Sequence, residues 1–287
     1  MDIGIVGAEN SHTIAIARLL NVEKRVRGLR VTHVWGETTA LARQAAEAGG
    51  IPHIAASPVD MVGQVQAAVV DHRHAREHLP AAAPLLEARL PLFIDKPFCY
   101  RAREGRRFLA RAAELGVPVC SFSTLPKQAA FLELERQARQ LGPLHAVVAT
   151  GPCDIRSRWG GIFFYGVHQV DMVLRLLGYN LAQAQVVRGA GRNHVAVLTF
   201  RSGAVATLNL IHGGRPAFHL SVVGEKGRLD QEIHSDESPF LKGVQEFSRM
   251  FRTGRTPETA QSMLGPVAVL EALEKSIAGR GRVKVTL

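Results

Sequence analysis

The sequence predicts an α/β chain in two domains: a parallel sheet with helices on both faces, followed by an α+β domain with an open, mainly antiparallel sheet. Three observations carry this. Short apolar runs alternate with helix-period segments through the first 121 residues. The texture then changes to longer strand-like runs joined by glycine turns. A chain of 287 residues with 46% hydrophobic content is also long enough for two cores rather than one.

In chain order, Asp2 to Val6 reads as a short buried strand, and Ile14, Ala17, Leu19 and Leu20 after it have helical spacing. Arg30 to Trp35 is the second strand, Thr38 to Ala48 an Ala-rich helix and Ala67 to Val70 a further strand. A helix from about Arg76 to Ala88, the strand Leu92 to Ile94, a helix from Arg103 to Leu115 and the strand Pro118 to Phe122 continue the alternation. This repetition is that of a Rossmann unit, expected over residues 1–121. A helix from Lys127 to Gln140 leads into strands at Leu144 to Thr150, Gln183 to Arg188, Val195 to Phe200, Ala204 to Ile211 and Phe218 to Gly224, with turns at Arg201-Ser202-Gly203 and Gly224-Glu225-Lys226-Gly227. The second domain is expected over residues 122–287, closed by a helix from Pro266 to Ala278. Its open sheet face would bury apolar surface against another subunit, so a homo-oligomer is expected.

A formal charge of +10 raises nucleic-acid binding. The basic residues are scattered, however, and the densest group, Arg18, Lys24, Arg25, Arg27 and Arg30, has no aromatic residues interleaved. A small-molecule substrate is the expected partner, with no nucleic acid. Apolar runs such as Leu90 to Ile94 are far shorter than the roughly 20 residues a bilayer needs, and the first residues carry no secretory pattern, so a cytoplasmic protein is expected. Cys99, Cys120 and Cys153 lack any CxxC spacing and read as buried thiols.

The loop after the first strand, Gly7-Ala8-Glu9-Asn10-Ser11-His12, is where a dinucleotide is expected. Of the three glycines usual there only Gly7 is present; Glu9 and His12 hold the other two positions. Ser11 is a candidate helix cap, and Asn10 tolerates unusual backbone angles. Glu37, after the second strand, is placed to accept hydrogen bonds from ribose hydroxyls, which favours NAD over NADP within an NAD(P) site. Asp71-His72-Arg73-His74 follows a strand at the carboxyl edge of the sheet and reads as a ligand-facing loop with Asp71 toward the cofactor. His72, His74 and His78 do not form a specific metal pattern, and no metal is expected. Asp95-Lys96-Pro97 puts a lysine at the end of another parallel strand, before a proline that can take a cis peptide. Downstream, the glycine pair Gly160-Gly161 leads to a helix with His168 and Asp171. A lysine from one domain and a histidine from the next suit the oxidation of an alcohol.

These motifs resemble the Gfo/Idh/MocA family of oxidoreductases along essentially the whole chain. Asp95-Lys96-Pro97 resembles the family's Glu-Lys-Pro, Gly160 to Asp171 its segment ending Gly-x-His-x-x-Asp, Gly224 to Leu229 a turn of its sheet domain, and Gly279 to Leu287 its terminal strand. The resemblance implies a nicotinamide-dependent dehydrogenase acting on a sugar, polyol or related hydroxylated compound. It implies that Lys96 stabilises the developing alkoxide and contacts the cofactor, and that His168 takes the hydroxyl proton. Sugar-oxidising members have an aspartate four positions before that histidine; Phe164 stands there, and the neighbouring Tyr165 is the candidate to supply a phenol instead. Asp171 reads as orienting or structural. Two other readings keep the scaffold: a lyase or epimerase using transient NAD oxidation, and a non-redox or regulatory ligand-binding protein.

Overall fold

The computed structural model describes residues 1–214 and 217–286. In chain order the elements are β1 (Asp2–Val6), α1 (Ser11–Ala17), β2 (Arg30–Trp35), α2 (Thr39–Gly49), β3 (His53–Ile54), β4 (Ala67–Val70), α3 (His78–Glu87), β5 (Leu92–Ile94), α4 (Ala102–Leu115) and β6 (Val119–Cys120). They continue with α5 (Ala129–Ala138), β7 (Leu144–Pro152), α6 (Ile162–Leu177), β8 (Leu181–Arg188), β9 (His194–Phe200), β10 (Val205–Ile211), β11 (Phe218–Gly224), β12 (Gly227–Ile233), α7 (Leu241–Thr253), α8 (Ala260–Lys275) and β13 (Val283–Lys284). Leu287, the end of the expected terminal strand, lies outside the described residues.

The first compact unit comprises Met1–Cys99, Arg103–Phe122 and Phe240–Met263. Its sheet has the order β3-β2-β1-β4-β5-β6, every pair parallel. β4 and β5 are buried at every residue, which is why they are continuous apolar runs rather than alternating ones. On α2, Thr38 accepts a hydrogen bond from the Leu41 amide and Gly50 ends the helix in the left-handed region at φ 61°. Phe240–Met263 fell to the second domain in the expected division but lies in this first unit. Within it, α7 sends Val244, Phe247, Met250 and Phe251 into the core beside Ile3, Ile5, Phe93 and Phe122, and Phe247 stacks on Phe93 at 4.7 Å.

The second unit comprises Tyr100–Ala102, Ser123–Pro239 and Leu264–Leu287. Its sheet runs β12-β11-β7-β10-β9-β8-β13, antiparallel throughout except for the parallel pair β7 and β10. The Gly224 to Gly227 turn opens a strand that the sequence did not announce, β12, whose residues mostly face water. One face is covered by α6, where the Gln169 side-chain amide donates to the carbonyls of Ala149 (3.1 Å) and Asn209 (2.9 Å). The alternate residues Val148, Val187, Val205 and Val223 are exposed.

Candidate active site

The carboxyl edge of the first sheet is organised around Gly7. It sits at φ 107°, and a Cβ there would lie 2.8 Å from the backbone of Asp71 and His72. The first loop is thereby held against the end of β4, as the glycine fingerprint requires at this position. The next amides, of Ala8 and Glu9, both donate to Glu37 Oε2 at 2.9 Å. Glu37 Oε1 is buried and has no hydrogen-bond partner among the described residues.

Beneath the loop lies a polar cluster with two carboxylates. The Asn10 side-chain amide donates to Asp71 Oδ1 (2.9 Å) and Asp95 Oδ2 (3.2 Å), His12 Nδ1 lies 3.2 Å from Asp95 Oδ1, and Lys96 Nζ is 3.6 Å from Asp95 Oδ2. Thr13 Oγ1 lies 2.8 Å from the Gly7 carbonyl and 2.5 Å from Asp71 Oδ2. A hydroxyl has one proton, so Thr13 donates to one of these two oxygens at a time. Burial first, and then the Asp95 charge, push the Asp71 carboxyl well above its ordinary range, against the opposing pull of its hydrogen bonds from Thr13 and Asn10. Asp95 goes the other way. Burial would raise it, but the charges of His12 and Lys96 and the His12 hydrogen bond hold it below the usual carboxylate range. The two carboxyls are thus driven apart, Asp71 toward the protonated form and Asp95 toward the charged form beside Lys96.

Asp71 is fully buried and holds the loop from below through Asn10 and Thr13. Asn10, not Ser11, is the N-cap of α1; it has ordinary extended angles (φ −82°, ψ 135°) and turns its side chain to the carboxylates. His12, at the third fingerprint position, fills the space with an imidazole bonded to Asp95 and packed at 4.7 Å against Phe240. His12, Asp71 and Asp95 each offer a ligand atom within 4.8 Å of the others. Asn10 and Lys96 already address the same carboxylate oxygens. Lys96 precedes a cis peptide to Pro97.

In the segment after β4, Asp71, His72 and Ala75 are buried, while Arg76 and Glu77 are exposed. His78 is fully buried with its ring nitrogens 2.8 Å from the His72 carbonyl and 3.0 Å from that of Pro97, so it is a strut between two strand ends. His72 is buried near Trp35, and burial followed by the neighbouring His78 lowers it from 6.5 to about 4. The sign follows directly. His72 stays neutral in the fold but charges in the unfolded chain below pH 6.5, so its contribution is lost as pH falls toward 4. Between pH 7.5 and 5 this amounts to about 2 kcal/mol. Asp71 acts in the opposite sense, so the effect is isolated by difference: urea titrations should give wild type a steeper loss over this interval than His72→Asn, and equal slopes would overturn the assignment.

In the second unit, α6 begins after Gly161, whose φ of 61° lets its backbone meet the Ile155 carbonyl, with a Cβ there at 2.8 Å. His168 is buried at 8% exposure, with Nδ1 2.8 Å from Ser123 Oγ. Its ring meets Tyr165 and Phe218 edge-on at 5.7 and 5.5 Å. Tyr165 is exposed and Phe164 packs edge-on against it at 4.9 Å, continuing an aromatic wall to Trp159. Asp171 is buried against Arg175 at 3.0 Å, a structural pair. Ser123, Thr13 and the His12–Asp95 contact were not found from the sequence, because each is a tertiary pairing across 45 to 83 positions or a hydroxyl with no motif around it. A cavity of about 910 Å³ lies away from these groups, at the opposite edge of the first sheet, where Lys24, Arg27 and Arg30 of the basic group line it.

Residues 1–122 match the model of an oxidoreductase family with an NAD-binding Rossmann fold. No curated protein matches the chain in sequence. Among solved structures the chain is similar to myo-inositol 2-dehydrogenase from Lactobacillus plantarum, at 16% identity and TM-score 0.86 with 100% of this chain and 99% of that one covered. It is similar to scyllo-inositol dehydrogenase from Lactobacillus casei with bound NAD(H) and scyllo-inositol, at 15% identity and TM-score 0.84 with 99% and 98% covered. It is also similar to GenD2 from gentamicin A biosynthesis in complex with NAD, at 17% identity and TM-score 0.85 with 100% and 97% covered. At these identities the likeness is one of fold. No described helix is long and apolar enough to cross a membrane.

Proposed function

We propose, from the match of residues 1–122 to the Gfo/Idh/MocA oxidoreductase family model, that this chain is an NAD-dependent dehydrogenase that moves a hydride between nicotinamide and the carbinol carbon of a sugar, polyol or related small molecule. The observation that carries the cofactor reading is Glu37. One carboxylate oxygen is fixed by the Ala8 and Glu9 amides, and the other is buried without a donor, a deficit that the hydroxyls of an adenosine ribose would make good. A 2′-phosphate in the same place would meet a carboxylate, so NAD is the better fit.

Bound NAD supplies the hydride acceptor; the remaining steps belong to side chains. The Lys96 ammonium holds the substrate oxygen as it gains negative charge. His168 takes the hydroxyl proton at Nε2 when its Nδ1–H is donated to Ser123 Oγ, which also accepts from the Leu125 amide. In the reducing direction the same nitrogen returns the proton. Tyr165 and Phe164 form the wall beside His168. The exposed valines of the second sheet support a homodimer or homotetramer.

The test is a titration with NADH and NADPH read by energy transfer from Trp35, two positions before Glu37. Saturable NADH binding, tighter than NADPH, is expected, and Glu37→Ala should weaken it by about tenfold while narrowing the preference. No saturable binding of either nucleotide would sink the proposal. Sedimentation of the same sample is expected to give a mass above the 31.2 kDa of one chain; a single species at that mass would overturn the subunit reading.

A further inference from the structure

The second unit carries a cluster of cations at the end of the sheet where β7 and β10 finish and where Phe218, a neighbour of His168, begins β11. Asp154, two residues beyond β7, accepts from Arg192 Nη2 at 3.0 Å and lies 3.4 Å from His212 Nδ1 through Oδ2, while its Oδ1 accepts from the Arg156 amide at 2.9 Å. Asn193 Oδ1 accepts from the His212 amide at 2.8 Å. One carboxylate thus orients a guanidinium and an imidazole from two further segments, the turn before β9 and the residue after β10. The positive charge exceeds that of the carboxylate: the Arg156 side chain has no acidic partner among the described residues, and Arg158 is held over the Trp159 ring at 4.3 Å. An independent sign of this excess is His194 at the start of β9. Burial, and then the charges of Arg156 and Arg188, hold it below its ordinary range despite Asp154 nearby.

The sheet register ties the cluster to His168. Pro152 pairs with Ile211, Leu210 with His194 and Thr150 with His219, so the ends of β7 and β10 and the starts of β9 and β11 share one edge. Phe218, which touches the His168 ring, begins β11. From β11 across β7 to β10 is two strand spacings, roughly 10 Å. That is within reach of one sugar-sized molecule plus an arginine side chain. The residue four positions before His168 is Phe164, which adds no negative charge there.

We infer that the substrate is a hydroxylated anion, a sugar acid or sugar phosphate, whose carboxylate or phosphate is held by Arg192, His212 and Arg156 while a hydroxyl faces His168. A guanidinium already fixed by Asp154 loses little freedom on gripping an oxyanion, and the aromatic wall of Trp159 and Phe164 offers an apolar surface to the ring. This rests on the dehydrogenase reading for the hydroxyl end alone.

The test is calorimetric titration of the full chain, with and without NADH, using glucuronate, galacturonate, gluconate, glucose 6-phosphate and galactose 6-phosphate against glucose and galactose. At least one anion is expected to bind about tenfold or more tightly than its neutral parent and to weaken as salt is raised. Arg192→Ala and Arg156→Ala should each reduce that affinity about tenfold or more, Arg192→Lys less, with NADH affinity unchanged. The carboxylate and phosphate arms decide which anion is taken. Neutral sugars binding as tightly as every anion, no anion binding at all, or variants with intact melting behaviour and unchanged affinity would each overturn the inference. Failure of NADH binding with anion binding retained would instead overturn the redox reading and leave the anion site standing.

Discussion

Replacing His168 or Lys96 by alanine is expected to lower kcat by about 10²–10⁴-fold, the range for a positioned acid–base group. The two losses have different signatures. His168 is held through Nδ1 by Ser123, so His168→Ala should leave NADH affinity in place and remove the limb of the pH–rate profile that reports a base. Ser123→Ala should keep that limb but move it, because the imidazole would lose the contact that sets its tautomer. Lys96 stands in an ion pair with Asp95, and Lys96→Ala leaves that carboxylate with only His12 and the Asn10 amide beside it. Lower NADH affinity together with lower kcat is expected there. Turnover is measured over a panel of polyols and sugar acids; activity unchanged in either alanine variant would refute its assigned role.

Gly7→Ala is expected to be the most damaging single methyl group that the first unit can receive. At φ 107° a side chain is strained in any surroundings, and here the added carbon would also lie 2.8 Å from the backbone of Asp71 and His72, which no side-chain rotation relieves. A loss of roughly 2–4 kcal/mol is expected, with NADH binding weakened at least tenfold because the Ala8 and Glu9 amides would leave Glu37. Gly116→Ala is the control, since Gly116 is left-handed too (φ 67°) but has no atom within 4 Å of the added carbon. It should lose only about 1 kcal/mol. Thermal unfolding of both variants checks this, and equal losses would show that the contact with the end of β4 is unimportant.

The strands β4 and β5 were legible to the residue because strands buried on both faces must be written as unbroken apolar runs, and β1 and β2 were legible too, although Asp2, Arg30, Thr32 and His33 interrupt their apolar character. β3 has two exposed residues, and β12 is mostly exposed charge and amide, so neither shows in hydrophobicity. α7 has a helical apolar spacing in Val244, Phe247 and Phe251, but that spacing does not say which sheet it packs on. Among the candidate catalytic residues, Lys96 and His168 stood out because short motifs surround them. The departures at Glu9 and His12 made the loop look unlike a cofactor cradle. His12 has a physical reason for its place in Asp95, a partner 83 residues away that local pattern cannot reveal.

The return of the chain to its first unit at Phe240 bears on where the molecule can be divided. A fragment ending at residue 122 would contain every strand of the parallel sheet and the residues Thr13, Trp35, Asp71 and His72 that hold Gly7. It would lack Val244, Phe247, Met250 and Phe251, and one helical layer over Ile3, Ile5, Phe93 and Phe122 would be open to water. The nucleotide-binding half is continuous as a motif but discontinuous as a folding unit. An excised version of it needs residues 240–263 joined back on, and a graft of the second half onto another Rossmann domain would carry away part of this domain's core.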